Sequence, residues 1–266
     1  MCLVARMIED GRTYWPAGGG TALLGVLLGK QLYAPGAVHV TEDGVIGPEP
    51  LLPFDPMMTM ISTRATNRAL AWGTMNTAGL HAQLGFIDYG VLHALQIDQY
   101  GNINSTQVGI EGENARRFGG PGGADTIAAC CWRTIVMTDQ EQRKFVKAVD
   151  FISSPGYLDG TLEARMRAGL PDDTGPWRVV TPMAVYDYDE RRLRLIERAP
   201  WVTVEDVMAE CSFRPLVADP VREFEPPTEE ELQIIRTQLD IRGQASDASA
   251  AWITWDGDKY VRTLVQ

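Results

Sequence analysis

The stretch VHVTEDG, from Val38 to Gly44, is a β-branched run of strand character that ends on two adjacent carboxylates and a glycine. Like charges side by side repel, so Glu42 and Asp43 need a reason to share a strand end. A polar terminus before a glycine turn is one such reason, and a carboxylate held ready for reaction is the other; the residues alone leave both open. Two glycine-rich stretches accompany it, Gly18-Gly19-Gly20 in WPAGGGTA and Gly119 to Gly123 in RFGGPGGAD. A glycine turn that opens a helix presents backbone N–H groups to an anion, although either stretch by itself is equally an ordinary turn. Gly18 to Gly20 fits neither G-x-G-x-x-G nor a phosphate-binding loop, because Gly29-Lys30 is followed by Gln31 rather than Ser or Thr.

Other common chemistries find no support. His39, His81 and His93 form no H-x-x-H or H-E-x-x-H pattern, so they are predicted to be packed or surface residues and no metal site is expected. No G-x-S-x-G elbow is present. Cys2, Cys130, Cys131 and Cys211 lack C-x-x-C spacing, and the adjacent Cys130 and Cys131 in TIAACCW read as small buried hydrophobes. Asn104-Ser105-Thr106 matches a glycosylation acceptor, which carries weight only in a secreted protein.

The elements that must position these residues follow from pattern. Leu3, Val4, Met7 and Ile8 have helical spacing, predicting a helix from Cys2 to Glu9 with Gly11 as its stop. RTYW reads as a strand, Gly18 to Gly20 as a turn, the segment from Thr21 as a helix broken by Pro35-Gly36, and VHVTEDG as the next strand. Strand, helix, strand implies a parallel pair joined by a right-handed crossover. Ser62 to Ala71 is predicted to be a helix, Phe86 to Asp98 a buried parallel strand interrupted at Gly90, and Thr134 to Thr138 a short strand. Alternation around Asp187 to Arg191 predicts an antiparallel hairpin. Two helices follow, VTVEDVMAEC and PTEEELQIIRTQLD, the second capped by Thr228 with Glu229 to Glu231 in its first turn. The fold class predicted is α/β, an open mostly parallel sheet flanked by helices with an antiparallel C-terminal extension. Residues 1–243 form one domain in this reading, and 244–266 a polar tail, a loosely packed end or a partner surface for Trp252 and Trp255.

The chain has 266 residues and a formal net charge of −11, without a Lys/Arg cluster beyond small groups such as Arg191-Arg192. That balance argues against nucleic acid or an acidic membrane surface as partner. Apolar runs such as Thr21 to Gly29 fall far short of the roughly 20 residues that cross a bilayer. MCLVARMIEDGR has acidic residues where a signal peptide would have an apolar core, so a cytoplasmic location is expected.

Taken in order, TYWPAGGGTALLGVLLGKQLYAPGAVHVTEDG, ALQIDQYGNINSTQVG, RRFGGPGGADTIA, QRKFVKAVDFISSPGYLDG and GLPDDTGPWRVVT resemble the B subunit of family I CoA-transferases, the glutaconate CoA-transferase branch most closely. The specific parts are Q-I-D-x-Y-G-N-x-N-S-T and K-x-V-D-F-I-S-S-P-G, and the similarity runs from near Met1 to about Asp240. The resemblance implies the NagB/RpiA/CoA-transferase-like fold and a catalytic glutamate a short step after the Y-A-P turn, where Glu42 stands. It also implies ping-pong transfer of CoA between carboxylic acids through a glutamyl-CoA thioester, with CoA as substrate and no permanent cofactor. Gly122, Gly123 and Ala124 match the family's G-G-A loop and would support the oxyanion, with Gly18, Gly19 and Gly20 as further oxyanion or CoA-binding candidates.

The family works as A-plus-B hetero-oligomers such as a heterotetramer, so an A subunit is the implied partner. Departures from the family pattern are Asp43 where Ser or Asn is usual, AGGG in place of G-T-G, a shortened N-terminal helix and the tail. Relatives of this fold include ring-opening hydrolases of steroid-derived CoA thioesters and decarboxylases with cysteine at the glutamate's position. A CoA-thioester C–C hydrolase or decarboxylase is therefore the enzymatic alternative, and a non-catalytic acyl-CoA-binding or scaffolding subunit the alternative from another class.

Overall fold

The computed structural model describes residues 1–53, 62–109, 115–171, 173–241 and 243, together with the backbone of 251–255 and 260–264. The chain divides into two compact units, one of Met1–Ala78 with Pro227–Gln266 and one of Gly79–Pro226.

The first unit begins with α1 (Cys2–Ala5), β1 (Thr13–Pro16), α2 (Gly20–Leu32), β2 (Val38–His39), β3 (Val45–Ile46) and β4 (Ala71–Trp72). Helix α1 is shorter than its spacing predicts, because the amides of Met7 and Ile8 turn to the carbonyls three residues back, Val4 and Ala5. Every residue of α2 from Ala22 to Gly29 is buried, as an all-round apolar helix should be. A Cβ on Gly29 would lie 2.4 Å from Ile8 Cγ1 and 2.7 Å from the Ala5 carbonyl, so glycine lets the two helices touch. Strands β1 and β2 pair in parallel, Thr13 opposite Val38 and Tyr14 opposite His39, as strand–helix–strand order requires.

The helix predicted over Ser62 to Ala71 is not formed; the segment is a run of turns leading into β4. One turn closes on the Ser62 carbonyl, which accepts from Ala65 and Thr66, but the following backbone groups bond elsewhere: Leu51 donates to Arg64 O, Glu49 to Asn67 O and Leu70 to Ile46 O. Helix α3 (Met75–Gln83) leads towards the second unit.

The second unit contains β5 (Tyr89–His93), β6 (Gln96–Ile97), β7 (Ile103–Asn104), β8 (Gln107–Val108), β9 (Arg116–Arg117), α4 (Ala124–Cys130) and β10 (Arg133–Met137). There follow α5 (Ala164–Arg167), β11 (Pro176–Val180), β12 (Ala184–Asp189), β13 (Arg192–Arg198), α6 (Val204–Ala209) and β14 (Leu216–Glu223). Its sheet runs β14-β13-β12-β11-β10-β5. The pairs β5/β10, β10/β11 and β13/β14 are parallel, and β11/β12 and β12/β13 antiparallel. Mostly parallel pairing with flanking helices and an antiparallel hairpin is the predicted class.

Phe86 to Asp98 is two strands rather than one, and Gly90 does not interrupt β5. A Cβ there would lie 2.1 Å from Ile127 Cγ2, so glycine admits α4 onto the strand. The β12–β13 hairpin turns on Glu190 and Arg191, both with positive φ, as the twist of a two-residue hairpin demands.

The chain then returns to the first unit with α7 (Glu229–Ile234), continued by a π-helical turn, Ile235–Leu239. Thr228 caps α7, as the sequence predicts, and does so through a reciprocal pair with Glu231. The backbones of β15 (Ala251–Trp255) and β16 (Tyr260–Leu264) pair antiparallel, with Trp252 and Trp255 on β15; residues 244–250, 256–259 and 265–266 of the predicted tail lie outside the described residues.

Candidate active site

In the first unit the strand carrying VHV does not simply end. It folds back as a tight hairpin, with Val40 bridged to Ile46 and Glu42, Asp43 and Gly44 forming the loop. Thr41 N donates to Val45 O at 2.9 Å and Gly44 N to Thr41 O at 3.0 Å. Gly44 has φ +89°, the left-handed third position of a three-residue hairpin loop. A Cβ on Gly44 would lie 1.9 Å from the Thr74 carbonyl, so this position excludes every other residue.

Glu42 is half-buried at the tip of this loop, and Asp43 follows it. The Thr41 hydroxyl donates to Asp43 Oδ1 and accepts from Val45 N at 3.1 Å. Asp43 thus has a hydrogen-bond partner of its own in the hairpin. Thr41 was not singled out from sequence, yet a threonine two residues before an aspartate and three before a glycine is a local turn signal.

Gly18, Gly19 and Gly20 all have positive φ, between +57° and +85°, and open α2 directly after β1. Because β1 and β2 are parallel, this loop and the Glu42 hairpin both leave the carboxyl ends of one strand pair, the edge where open α/β sheets take their ligands.

Gly122, Gly123 and Ala124 belong to the second unit and form the turn that opens α4, with Gly122 at φ +54°. The Ala124 amide donates to Pro121 O at 2.9 Å. It is already engaged, so among the three the Gly122 and Gly123 amides are the candidates for an oxyanion.

The two most specific sequence stretches have a different task. Asn102, 1% exposed, accepts from the amides of Gly156 and Leu158 (2.9 and 3.1 Å) and donates to Asp98 Oδ2 and Leu158 O (2.9 and 2.8 Å). Asn104 accepts from the Thr106 and Gln107 amides and donates to Gln96, whose amide nitrogen reaches Asp150. Q-I-D-x-Y-G-N-x-N-S-T and V-D-F-I-S-S-P-G are therefore two halves of one buried polar scaffold. Burial pushes the Asp98 carboxyl up, opposed by bonds from Asn102 and the Tyr100 amide.

His39 is buried on β2 and pushed down to about 3 by loss of solvent and by Lys30, so it stays neutral and is a packed residue. Cys131 is buried with its thiol raised by burial, as a small hydrophobe should be, whereas the adjacent Cys130 is only partly buried; burial also raises the Cys211 thiol, to about 11. Among the described residues no cluster of His, Cys, Asp or Glu could hold a metal ion, and no helix is long and apolar enough to cross a membrane. A cleft of about 470 Å³ is lined by Trp132, Arg133, Tyr157, Trp177, Arg178 and neighbours. These residues sit at the amino ends of β10 and β11, the edge opposite to the one such sheets use for ligands.

A mostly parallel α/β sheet with flanking helices and an antiparallel hairpin defines the class, an open-sheet α/β protein, and proteins of that class take their ligands at strand carboxyl ends. The family within it follows from comparison. A profile for coenzyme A transferase matches residues 3–210. The B subunit of glutaconate CoA-transferase from Acidaminococcus fermentans is 32% identical over 250 residues, covering 91% of each chain. The B subunit of 3-oxoadipate CoA-transferase from Pseudomonas knackmussii is 30% identical, covering 91% of this chain and 92% of that one. The crystal structure of the Acidaminococcus enzyme superposes with a TM-score of 0.79 at 29% identity, covering 92% of this chain and 94% of that one. The IpdB subunit of a cholesterol ring-cleaving hydrolase from Mycobacterium tuberculosis is 30% identical over 158 residues, 56% of this chain and 59% of its own. The chain belongs to the coenzyme A transferase family.

Proposed function

We propose that the chain is the B subunit of a cytoplasmic hetero-oligomeric CoA-transferase, with Glu42 as nucleophile. The observation that carries this reading is the hairpin that holds Glu42 at the carboxyl end of the β1/β2 pair while Thr41 engages the neighbouring Asp43.

The chemistry proceeds without net proton change. The Glu42 carboxylate attacks the acyl-CoA carbonyl, the C–S bond breaks, and CoA leaves as thiolate from a mixed anhydride. The thiolate then attacks the glutamyl carbonyl, releasing the donor acid and leaving CoA as a thioester on Glu42. An acceptor carboxylate reverses both steps and departs as its CoA ester. Each step passes through a tetrahedral oxyanion, and we assign its stabilisation to the Gly122 and Gly123 amides; one such donor is typically worth about 3 kcal/mol. Gly18 to Gly20 supply further donors for CoA.

The A subunit completes the enzyme, since the relatives matched over nine-tenths of the chain are named as B subunits. Both are named for dicarboxylic acids, so a dicarboxylate is the proposed acid. The IpdB similarity favours one second reading, hydrolysis of a carbon–carbon bond in a CoA thioester.

Intact mass of the chain, co-purified with its A partner and exposed to a panel of acyl-CoAs, separates these readings. Transfer predicts a gain of one CoA less one water, absent in Glu42→Gln and lost on borohydride treatment, which reduces a glutamyl thioester. Consumption of acyl-CoA without an adduct supports the hydrolase instead. Full turnover in Glu42→Ala would mark this chain as a scaffold.

A further inference from the structure

Arg165 is 4% exposed, an uncommon place for a guanidinium, and lies in no glycine loop or carboxylate turn. Its Nη2 donates to the carbonyl of Ala129 at 3.2 Å and to the Thr174 hydroxyl at 2.6 Å, and its Nη1 to the carbonyl of Gly156 at 2.7 Å. Thr174 in turn donates to Ala129 O at 2.8 Å.

Backbone accounting shows what these bonds replace. The amides of Trp132 and Arg133 would continue α4 by bonding to Ala128 and Ala129, but they donate to Ile87 and Asp88 instead. The last carbonyls of α4 are thereby left to other donors. Arg165 and Thr174 take that place, and a cation at a helix carboxyl end also complements its dipole.

The same guanidinium holds the scaffold built by Asn102. Gly156 receives Arg165 on its carbonyl and gives its amide to Asn102. A Cβ on Gly156 would lie 2.3 Å from the Gly101 carbonyl carbon, so the two backbones have no slack. Arg165 therefore fastens one end of α4 to a rigid polar core. Helix α4 has seven residues, about 10 Å of rod, and its other end is the Pro121 to Ala124 turn.

We propose that Arg165 is a positioning residue for CoA transfer: by anchoring the carboxyl end of α4 to Gly156 and Thr174 it fixes where the Gly122 and Gly123 amides stand. This rests on the oxyanion role assigned to those amides above. Displacement by about 1 Å of groups aimed at a transition state costs up to about 100-fold in rate.

The test uses the complex assembled with the A partner, carrying Arg165→Lys, Arg165→Met or Thr174→Val, turnover being normalised to the fraction of chains that acquire the CoA adduct on Glu42. The expected result is a 10- to 100-fold fall in kcat per titrated site for Arg165→Met, a smaller fall for Arg165→Lys and Thr174→Val, and KM for acyl-CoA within twofold of wild type. A residue that only stabilises the fold would lower the titrated fraction and leave kcat per site unchanged, and that result overturns the inference. If neither Arg165 variant assembles, Thr174→Val decides by the same measure. A wild-type complex that turns over without an adduct removes the transferase reading and this inference with it, whereas a normal adduct with unaltered variant kcat removes the inference alone.

Discussion

The Thr41 hydroxyl donates to the Asp43 carboxylate across the loop that carries Glu42 and accepts from the Val45 amide on the far side of it. One side chain thus closes the hairpin and occupies the second carboxylate. Thr41→Val keeps the shape and removes these bonds, leaving a buried amide unsatisfied, so it should cost about 1–3 kcal/mol in urea unfolding. Thr41→Ser restores the hydroxyl and should recover most of that loss. Equal stability of the valine and wild-type proteins would show that the hydroxyl contributes nothing.

Gly44 sets a sharper condition on the same loop. Its φ of +89° disfavours any side chain, and a Cβ would overlap the Thr74 carbonyl at 1.9 Å. Gly44→Ala should therefore destabilise by at least about 2 kcal/mol and abolish the CoA adduct in whatever folded complex remains. Unfolding curves and intact mass on the same preparation check both parts, and a stable variant with a normal adduct would contradict them.

What the sequence makes legible divides by distance along the chain. The cap at Thr228 is readable because its partner, Glu231, is three residues away. The parallel β1/β2 pair is readable because strand, helix and strand follow one another within about thirty residues. Gly90 is misread as an interruption because its reason, the Ile127 side chain, sits on another element. The segment from Ser62 is misread as a helix because its backbone partners are Ile46, Glu49 and Leu51, which no local pattern reveals. Glu42 stands out through its motif. Arg165 does not, since its partners Ala129 and Gly156 are 36 and 9 residues away.

Asn102 separates the motif that marks the family from the residues that would react. Asn102→Ala leaves the Gly156 and Leu158 amides without their side-chain acceptor and takes one donor from the buried Asp98 carboxylate, which keeps the Tyr100 and Asn102 amides. The expected cost is on the order of 3 kcal/mol, read as a lower thermal midpoint of the complex. The CoA adduct per folded chain should still form, because Asn102 belongs to the scaffold and not to the reacting groups. Asn102→Asp should be worse than alanine in neutral solution, since it sets a second carboxylate against Asp98.

Acid stability of the first unit should depend on Glu231. This side chain is fully buried and forms a two-pronged pair with Arg6, at 2.9 and 2.6 Å, with the Tyr33 hydroxyl donating to it as well at 2.9 Å. Burial pushes its carboxyl up, but Arg6, the Thr228 amide and Tyr33 together outweigh burial and hold it below the usual glutamate value. A carboxyl depressed in the folded state gives stability that is fully present above the unfolded value, about 4.3, and is lost as pH falls through the folded one. The urea midpoint of the wild type should therefore be flat with respect to this group above about pH 5 and decline below about pH 4. Glu231→Gln should remove this group's share of that decline while lowering stability at neutral pH. Arg6→Ala leaves a buried carboxylate without its cation and should cost about 3–5 kcal/mol at pH 7. An Arg6→Ala protein as stable as wild type at pH 7, with the same acid limb, would show that the pair does not anchor α7 to the first helix.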